Sequence, residues 1–196
     1  MTPIRPRRSA LYMPGSNARA IEKAKSLAAD VVIFDLEDAV APDAKAEARE
    51  KVCAAVQAGG YGKRELVIRI NALDTPWGEA DLTAAIAAAP DAILVPKVSS
   101  AEPLAAVGLR LRKFGAAERT RIWAMIETPL AILRAESIAS AAHDVDTRLS
   151  CFVMGTNDLA KDTRARLLPG CDDAALADER ARCRAGARHR YSRRGL

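Results

Sequence analysis

Six short apolar segments recur along the chain, and each is followed by a stretch with helical patterning. They span 9–13, 31–38, 65–71, 91–98, 121–127 and 149–154. The fifth is the clearest. Ile122, Trp123, Ala124, Met125 and Ile126 are apolar without interruption, as expected of a strand covered on both faces. Thr128-Pro129 then stops it, because proline has no N–H for a ladder, and a helix opens around Ala131. Helical stretches follow the other segments at 18–29, 42–57, 80–88 and 99–114. Such alternation implies βα units and a parallel sheet.

Every segment also ends in distinctive residues: Pro14-Gly15, Glu37-Asp38, Arg69 with Asn71, Pro96-Lys97, Glu127 and Asp158. A doubly wound sheet needs functional ends only beside its switch point. Decoration at every end fits a closed (β/α)8 barrel better, and no G-x-G-x-x-G follows the first segment. A barrel of that kind has eight strands and about 250 residues. Six are legible here, so the expected fold is α/β, a TIM (β/α)8-type barrel truncated after about six βα units and occupying residues 1–170. After Pro169-Gly170 the periodicity stops. Residues 171–196 read as an irregular, arginine-rich tail, disordered or the product of a frameshift.

The chain is 49% hydrophobic but only 4% aromatic, so its core is built from Ala, Val, Leu and Ile. The net charge of +5 is local. Residues 179–196 hold seven arginines and one acid, which leaves 23 basic and 24 acidic residues for 1–178. The body thus carries no whole-surface signal for nucleic acid or membrane. Nor is there a run of about 18 apolar residues, and no signal sequence opens the chain, so the location expected is cytoplasmic. Cys53, Cys151, Cys171 and Cys183 lack C-x-x-C or metal-ligand spacing and read as isolated thiols. His143 and His189 have no recognisable partner.

Two carboxylates carry the chemistry. Glu127 and Asp158 fall at the ends of consecutive strands. Neighbouring strands lie about 4.8 Å apart, so one hard cation such as Mg²⁺ can bridge both acids and fill its shell with water and substrate oxygens. Each acid could instead cap the helix that follows it. Arg69 and Asn71, two residues apart, are expected on one face, with the guanidinium suited to a substrate carboxylate or to an ion pair with Glu37 or Asp38. Alternation puts Glu37 and Asp38 on opposite faces, so one of them at most points into the mouth, as a metal's outer shell or as a cap. Lys97 reads as a salt-bridge or phosphate contact. Pro14-Gly15-Ser16-Asn17 at a helix start could receive an anionic group, with Arg7 or Arg8 beside it.

Taken together these segments resemble the HpcH/HpaI aldolase–citrate lyase β-subunit superfamily, the CitE-like CoA-ester lyases. The resemblance is carried by Arg8-Ser9-Ala10-Leu11-Tyr12-Met13-Pro14-Gly15, Asp35-Leu36-Glu37-Asp38-Ala39-Val40, Ile68-Arg69-Ile70-Asn71, Val95-Pro96-Lys97, Met125-Ile126-Glu127-Thr128 and Met154-Gly155-Thr156-Asn157-Asp158-Leu159-Ala160. It implies a TIM barrel with Mg²⁺ on Glu127 and Asp158, and Arg69 on the carboxylate of oxaloacetate, glyoxylate or another 2-oxoacid. The implied reaction cleaves a carbon–carbon bond in a citryl- or malyl-type CoA thioester to give acetyl-CoA and the 2-oxoacid. The family also implies a homo-oligomer, trimer or hexamer, with an acid/base aspartate from a neighbouring subunit's C-terminal region. Strands seven and eight and that aspartate have no counterpart here, which leaves two alternatives open: a non-catalytic remnant of such a lyase, and an RNA-binding protein acting through its arginine tail.

Overall fold

The computed structural model describes residues 5–165. The tail at 171–196, with its charge and with His189, Cys171 and Cys183, lies outside these residues. Six strands form one parallel sheet in sequential order: β1 (Ala10–Pro14), β2 (Val31–Asp35), β3 (Glu65–Arg69), β4 (Ala92–Val95), β5 (Arg121–Ile126) and β6 (Leu149–Met154). Consecutive strands pair throughout, with no reversal of order. That is the winding of successive units of a (β/α)8 barrel, as expected, and not of a doubly wound sheet.

The connecting helices are α1 (Ala18–Lys23), α2 (Lys45–Ala58), α3 (Gly78–Ala88) and α4 (Glu102–Lys113). After β5 come α5 (Pro129–Leu133) and α6 (Ala135–Ser140), and α7 (Thr156–Thr163) follows β6. The helix expected from Ala131 is broken at Arg134, which caps both α5 and α6 in a non-helical conformation. No helix among the described residues is long and apolar enough to cross a membrane. Among the described residues Cys53 forms no disulfide.

The sheet separates two apolar layers, which is why its strands read as unbroken hydrophobic runs. Val32, Phe34, Ile68, Ile93, Ile122 and Ala124 pack outward against the helices. Val31, Ile33, Val67, Leu94, Trp123 and Met125 pack inward on one another. The inward floor is closed by an ion pair. Arg7 holds Glu65 through two bonds of 2.6 and 2.8 Å, and its guanidinium lies 4.7 Å from the Trp123 ring centre. Each buried Ile, Leu or Phe contributes about 1.5–3 kcal/mol, whereas a buried ion pair recovers little beyond the cost of desolvating its two charges. The two layers therefore hold the sheet, and the charges can be used for something else.

The period of two puts Asp35, Arg69 and Glu127 at the upper ends of the inward rows Val31-Ile33, Val67 and Trp123-Met125. Between Ile122 and Trp123 the β5–β6 register shifts by one residue. Ile122 faces Leu149 but Trp123 faces Cys151, so the exposed Ser150 is the extra residue of a bulge.

Candidate active site

At the C-terminal ends of β2, β3, β4 and β5 the chain gathers four acids around two cations. Glu127 follows β5 and is 1% exposed. Its Oε1 accepts the Lys97 amide at 2.7 Å. Lys97 reaches this position with a left-handed backbone (φ 50°), an unusual conformation for a residue with a side chain. Burial pushes the Glu127 carboxyl up to about 7; the Lys97 amide opposes the shift and the Glu37 carboxylate adds to it. Across the β6 edge, Gly155 backs the other oxygen. A Cβ there would stand 2.6 Å from Oε2 and 2.4 Å from the Glu127 Cβ. Asp158 lies in the first turn of α7, partly buried, and its charge also raises the Glu127 pKa.

Arg69 is 7% exposed and is oriented by Asp35, its direct register partner on β2. Nε and Nη2 donate to the two Asp35 oxygens at 2.7 and 2.6 Å. Asp35 in turn accepts the amides of Glu37 and Ala39 at 2.8 and 3.1 Å, which fixes the turn after β2. The Tyr12 ring covers the guanidinium at 5.3 Å, and burial moves the Tyr12 hydroxyl up to about 12. Glu37 Oε2 lies 2.8 Å from Arg69 Nη1, and Glu37 Oε1 lies 2.8 Å from Lys97 Nζ. Burial raises the Glu37 pKa, and its bond to Lys97 counters this.

The positions singled out from the sequence divide into those that converge and those that do not. Glu127, Asp158, Arg69, Glu37, Asp38 and Lys97 share the mouth. Both Glu37 and Asp38 reach Arg69 and Lys97, contrary to the expectation that one at most would do so. The reason is that β2 ends at Asp35, so strand alternation no longer governs the two residues. Asn71 does not share a face with Arg69. β3 ends at Arg69, and Asn71 turns into a buried network in which it donates to Leu36 O at 2.9 Å and Asp81 Oδ2 at 2.6 Å. Its own Oδ1 accepts from Lys45 Nζ at 2.8 Å, which takes up the amide entirely.

Arg8 is also separated from Pro14-Gly15. It precedes β1 and binds Asp30 at 2.9 Å, whereas Pro14 closes the opposite end of the strand. Gly15 is needed for packing: a Cβ would lie 2.8 Å from Asp35 O. Asn17 caps α1 through Ala20 N, and His143 is exposed at the end of the turn that follows α6. The residue that sequence reasoning did not single out is Asp35, which orients Arg69. Its signal was the row Val31-Ile33-Asp35, which places the acid inward opposite the inward Arg69.

The mouth suits a hard divalent cation. Among the described residues Glu127 takes a hydrogen bond on Oε1 alone, and Gly155 leaves space at Oε2. No group of three or more His, Cys, Asp or Glu that could hold a metal occurs among them. A cation on Glu127 and Asp158 would therefore take its other ligands from water and substrate, as Mg²⁺ commonly does.

Comparison with known proteins agrees with this fold. The model of the HpcH/HpaI aldolase/citrate lyase family matches residues 8–191. A protein named (3S)-malyl-CoA thioesterase from Cereibacter sphaeroides is 49% identical over 164 residues, covering 84% of this chain and 54% of the relative. Citrate lyase subunit beta of Escherichia coli K12 is 36% identical over 170 residues, 84% of this chain and 55% of the relative. The chain thus spans about half the length of these curated relatives. The solved structure of protein CitE from Mycobacterium tuberculosis in complex with magnesium, acetoacetate and coenzyme A superposes with a TM-score of 0.72 at 27% identity, over 94% of this chain and 64% of that one. With the winding of the sheet, the ends of its strands and the extent of the family match in agreement, this chain belongs to the HpcH/HpaI aldolase/citrate lyase family.

Proposed function

We propose that this chain carries the metal and 2-oxoacid half of a Mg²⁺-dependent carbon–carbon lyase acting on a malyl- or citryl-type CoA thioester. The observation that carries this reading is Glu127, a buried carboxylate at a strand end with one oxygen pinned by Lys97 and the other backed by a glycine. Magnesium and oxaloacetate in the solved citrate lyase beta subunit of M. tuberculosis, and coenzyme A in the CitE complex, supply the ligand classes.

Glu127 and Asp158 would hold the cation, which supplies Lewis-acid polarisation of the substrate oxygen when bound. Asp35 fixes Arg69 by two bonds, so the Nη1 edge is presented to a carboxylate in one orientation. Burial of Glu127 and Arg69 keeps water from competing for these contacts. In malyl-CoA the bond between the carbinol carbon and the carbon next to the thioester breaks. Its electron pair passes into the thioester enolate, the hydroxyl gives up its proton, and glyoxylate and acetyl-CoA remain once the enolate is protonated. The homo-oligomer expected of the family belongs to this proposal as well.

Hydrolysis of the thioester is the second reading, favoured by the 49% identity to a malyl-CoA thioesterase. One assay separates the two. With malyl-CoA and Mg²⁺, cleavage of the carbon–carbon bond gives glyoxylate and no free thiol. Hydrolysis gives free CoA thiol and no glyoxylate. We expect glyoxylate from the parent chain and none from Glu127→Gln. Thiol release alone would replace the lyase reading, and no turnover by either route would overturn both.

A further inference from the structure

The acids of the mouth are held in different ways. Asp35 and Glu37 have side chains 2% and 7% exposed and lie within 2.6–2.8 Å of their cations. The Asp38 side chain is 53% exposed. Its Oδ2 lies 3.4 Å from Arg69 Nη1 and its Oδ1 lies 3.8 Å from Lys97 Nζ, so one carboxylate spans both cations without tight contact to either. Charge points the same way: Asp35 and Glu37 already balance Arg69 and Lys97, and Asp38 is surplus.

Geometry adds a second sign. Glu37 Oε2 is 2.8 Å from Nη1 yet takes no hydrogen bond among the described residues. The hydrogen bond that Nη1 makes goes to Asp38. The backbone beneath is fixed, with Ala39 N on Asp35 Oδ2 and Val40 N on Glu37 O, so only the Asp38 side chain must turn to clear the position.

We propose that Asp38 is a placeholder, whose carboxylate occupies the seat between Arg69 and Lys97 that a carboxylate of the substrate takes. Binding is then an exchange of one carboxylate for another, and Lys97 is a second cation for the incoming group. This rests on the reading that Arg69 receives the substrate carboxylate, and adds to it the partner cation and the displaced group. The seat selects acyl groups or 2-oxoacids with a free carboxylate.

The test is binding of malonate, a simple dicarboxylate, to the full chain in metal-free buffer, followed by calorimetry. Asp38→Asn should bind malonate about two- to fivefold more tightly than the parent, the range set by an exposed ion pair. Adding Lys97→Met to either protein should weaken binding. The ratio between Asp38→Asn and parent should narrow but stay above one from about 0.05 to about 0.5 M NaCl, since a contact pair is screened in part whereas a distant charge is screened fully. Equal or weaker binding by Asp38→Asn, a gain that vanishes with salt, indifference to Lys97→Met, or no binding by either protein would each overturn the proposal. Failure of the lyase reading shows instead as absent glyoxylate, whatever malonate does.

Discussion

Glu127 gives the site a pH signature of its own. Its carboxyl has a pKa of about 7 in the folded chain against 4.5 unperturbed, with burial as the main cause. The folded state therefore favours the protonated acid. Stability from this group is complete below about pH 4.5 and is lost as pH rises through about 7. A shift of this size corresponds to about 3 kcal/mol. Without metal, the parent should fall behind Glu127→Gln by up to that amount between pH 5 and pH 8, read as the difference in urea midpoints. Mg²⁺ at pH 8 should return most of it to the parent and none to the variant. A difference that stays flat with pH would mean that Glu127 is not desolvated as described. The strand-end position of Glu127 was legible because an acid after five apolar residues marks a strand end. That of Asp35 was less so. It stands beside two other acids in Asp35-Leu36-Glu37-Asp38, and only the register with Arg69 separates the inward acid from the turn acids.

Between elements, one irregularity decides which residue faces Glu127. Carried on from Ile122 and Leu149, an unbroken register would set Met154 against Glu127. The bulge at Ser150 advances β6 by one, so Ile126 faces Met154 and Gly155 comes opposite Glu127. A methyl at Gly155 would stand 2.4 Å from the Glu127 Cβ and 3.0 Å from the Met125 Cε, inside any tolerable contact. Gly155→Ala should therefore cost about 1–3 kcal/mol in urea unfolding, as overpacking does, and weaken Mg²⁺ binding at least tenfold by calorimetry. Gly59 is the control, with open space at its Cβ but φ at 68°. Gly59→Ala should cost about 1 kcal/mol and leave Mg²⁺ affinity alone. If Gly155→Ala keeps its Mg²⁺ affinity, the carboxylate is not held by this packing. Strand positions were readable in the sequence to within a few residues, because strands buried on both faces leave unbroken apolar runs. The bulge was not readable: Leu149-Ser150-Cys151 gives no local sign that one residue is unpaired. For the same reason Asn71 was misplaced, since periodicity does not report where a strand stops and a buried polar network takes over.

For the molecule as a whole, the mouth draws on separate units. Asp35, Glu37 and Asp38 come from the second, Arg69 from the third, Lys97 from the fourth, Glu127 from the fifth and Asp158 from the sixth. A ligand that touches Arg69, Glu127 and Asp158 together can bind only when units three, five and six are assembled in one sheet. Its binding then stabilises the assembled state by mass action, by about 2.7 kcal/mol at a hundred times the dissociation constant. In a chain of this size each kcal/mol moves the melting temperature by about 2–4 °C. Mg²⁺ with oxaloacetate at that excess should thus raise the midpoint of a cooperative transition by about 5–10 °C. Oxaloacetate without Mg²⁺ should do less, because only the cations Arg69 and Lys97 would hold it. Glu127→Ala should abolish the metal-dependent part and retain a cooperative melt, because the two apolar layers of the sheet do not depend on that carboxylate. A shift of equal size in the parent and in Glu127→Ala would place the ligand elsewhere, and a melt with no cooperative step would mean that the six units do not assemble into one sheet in this chain.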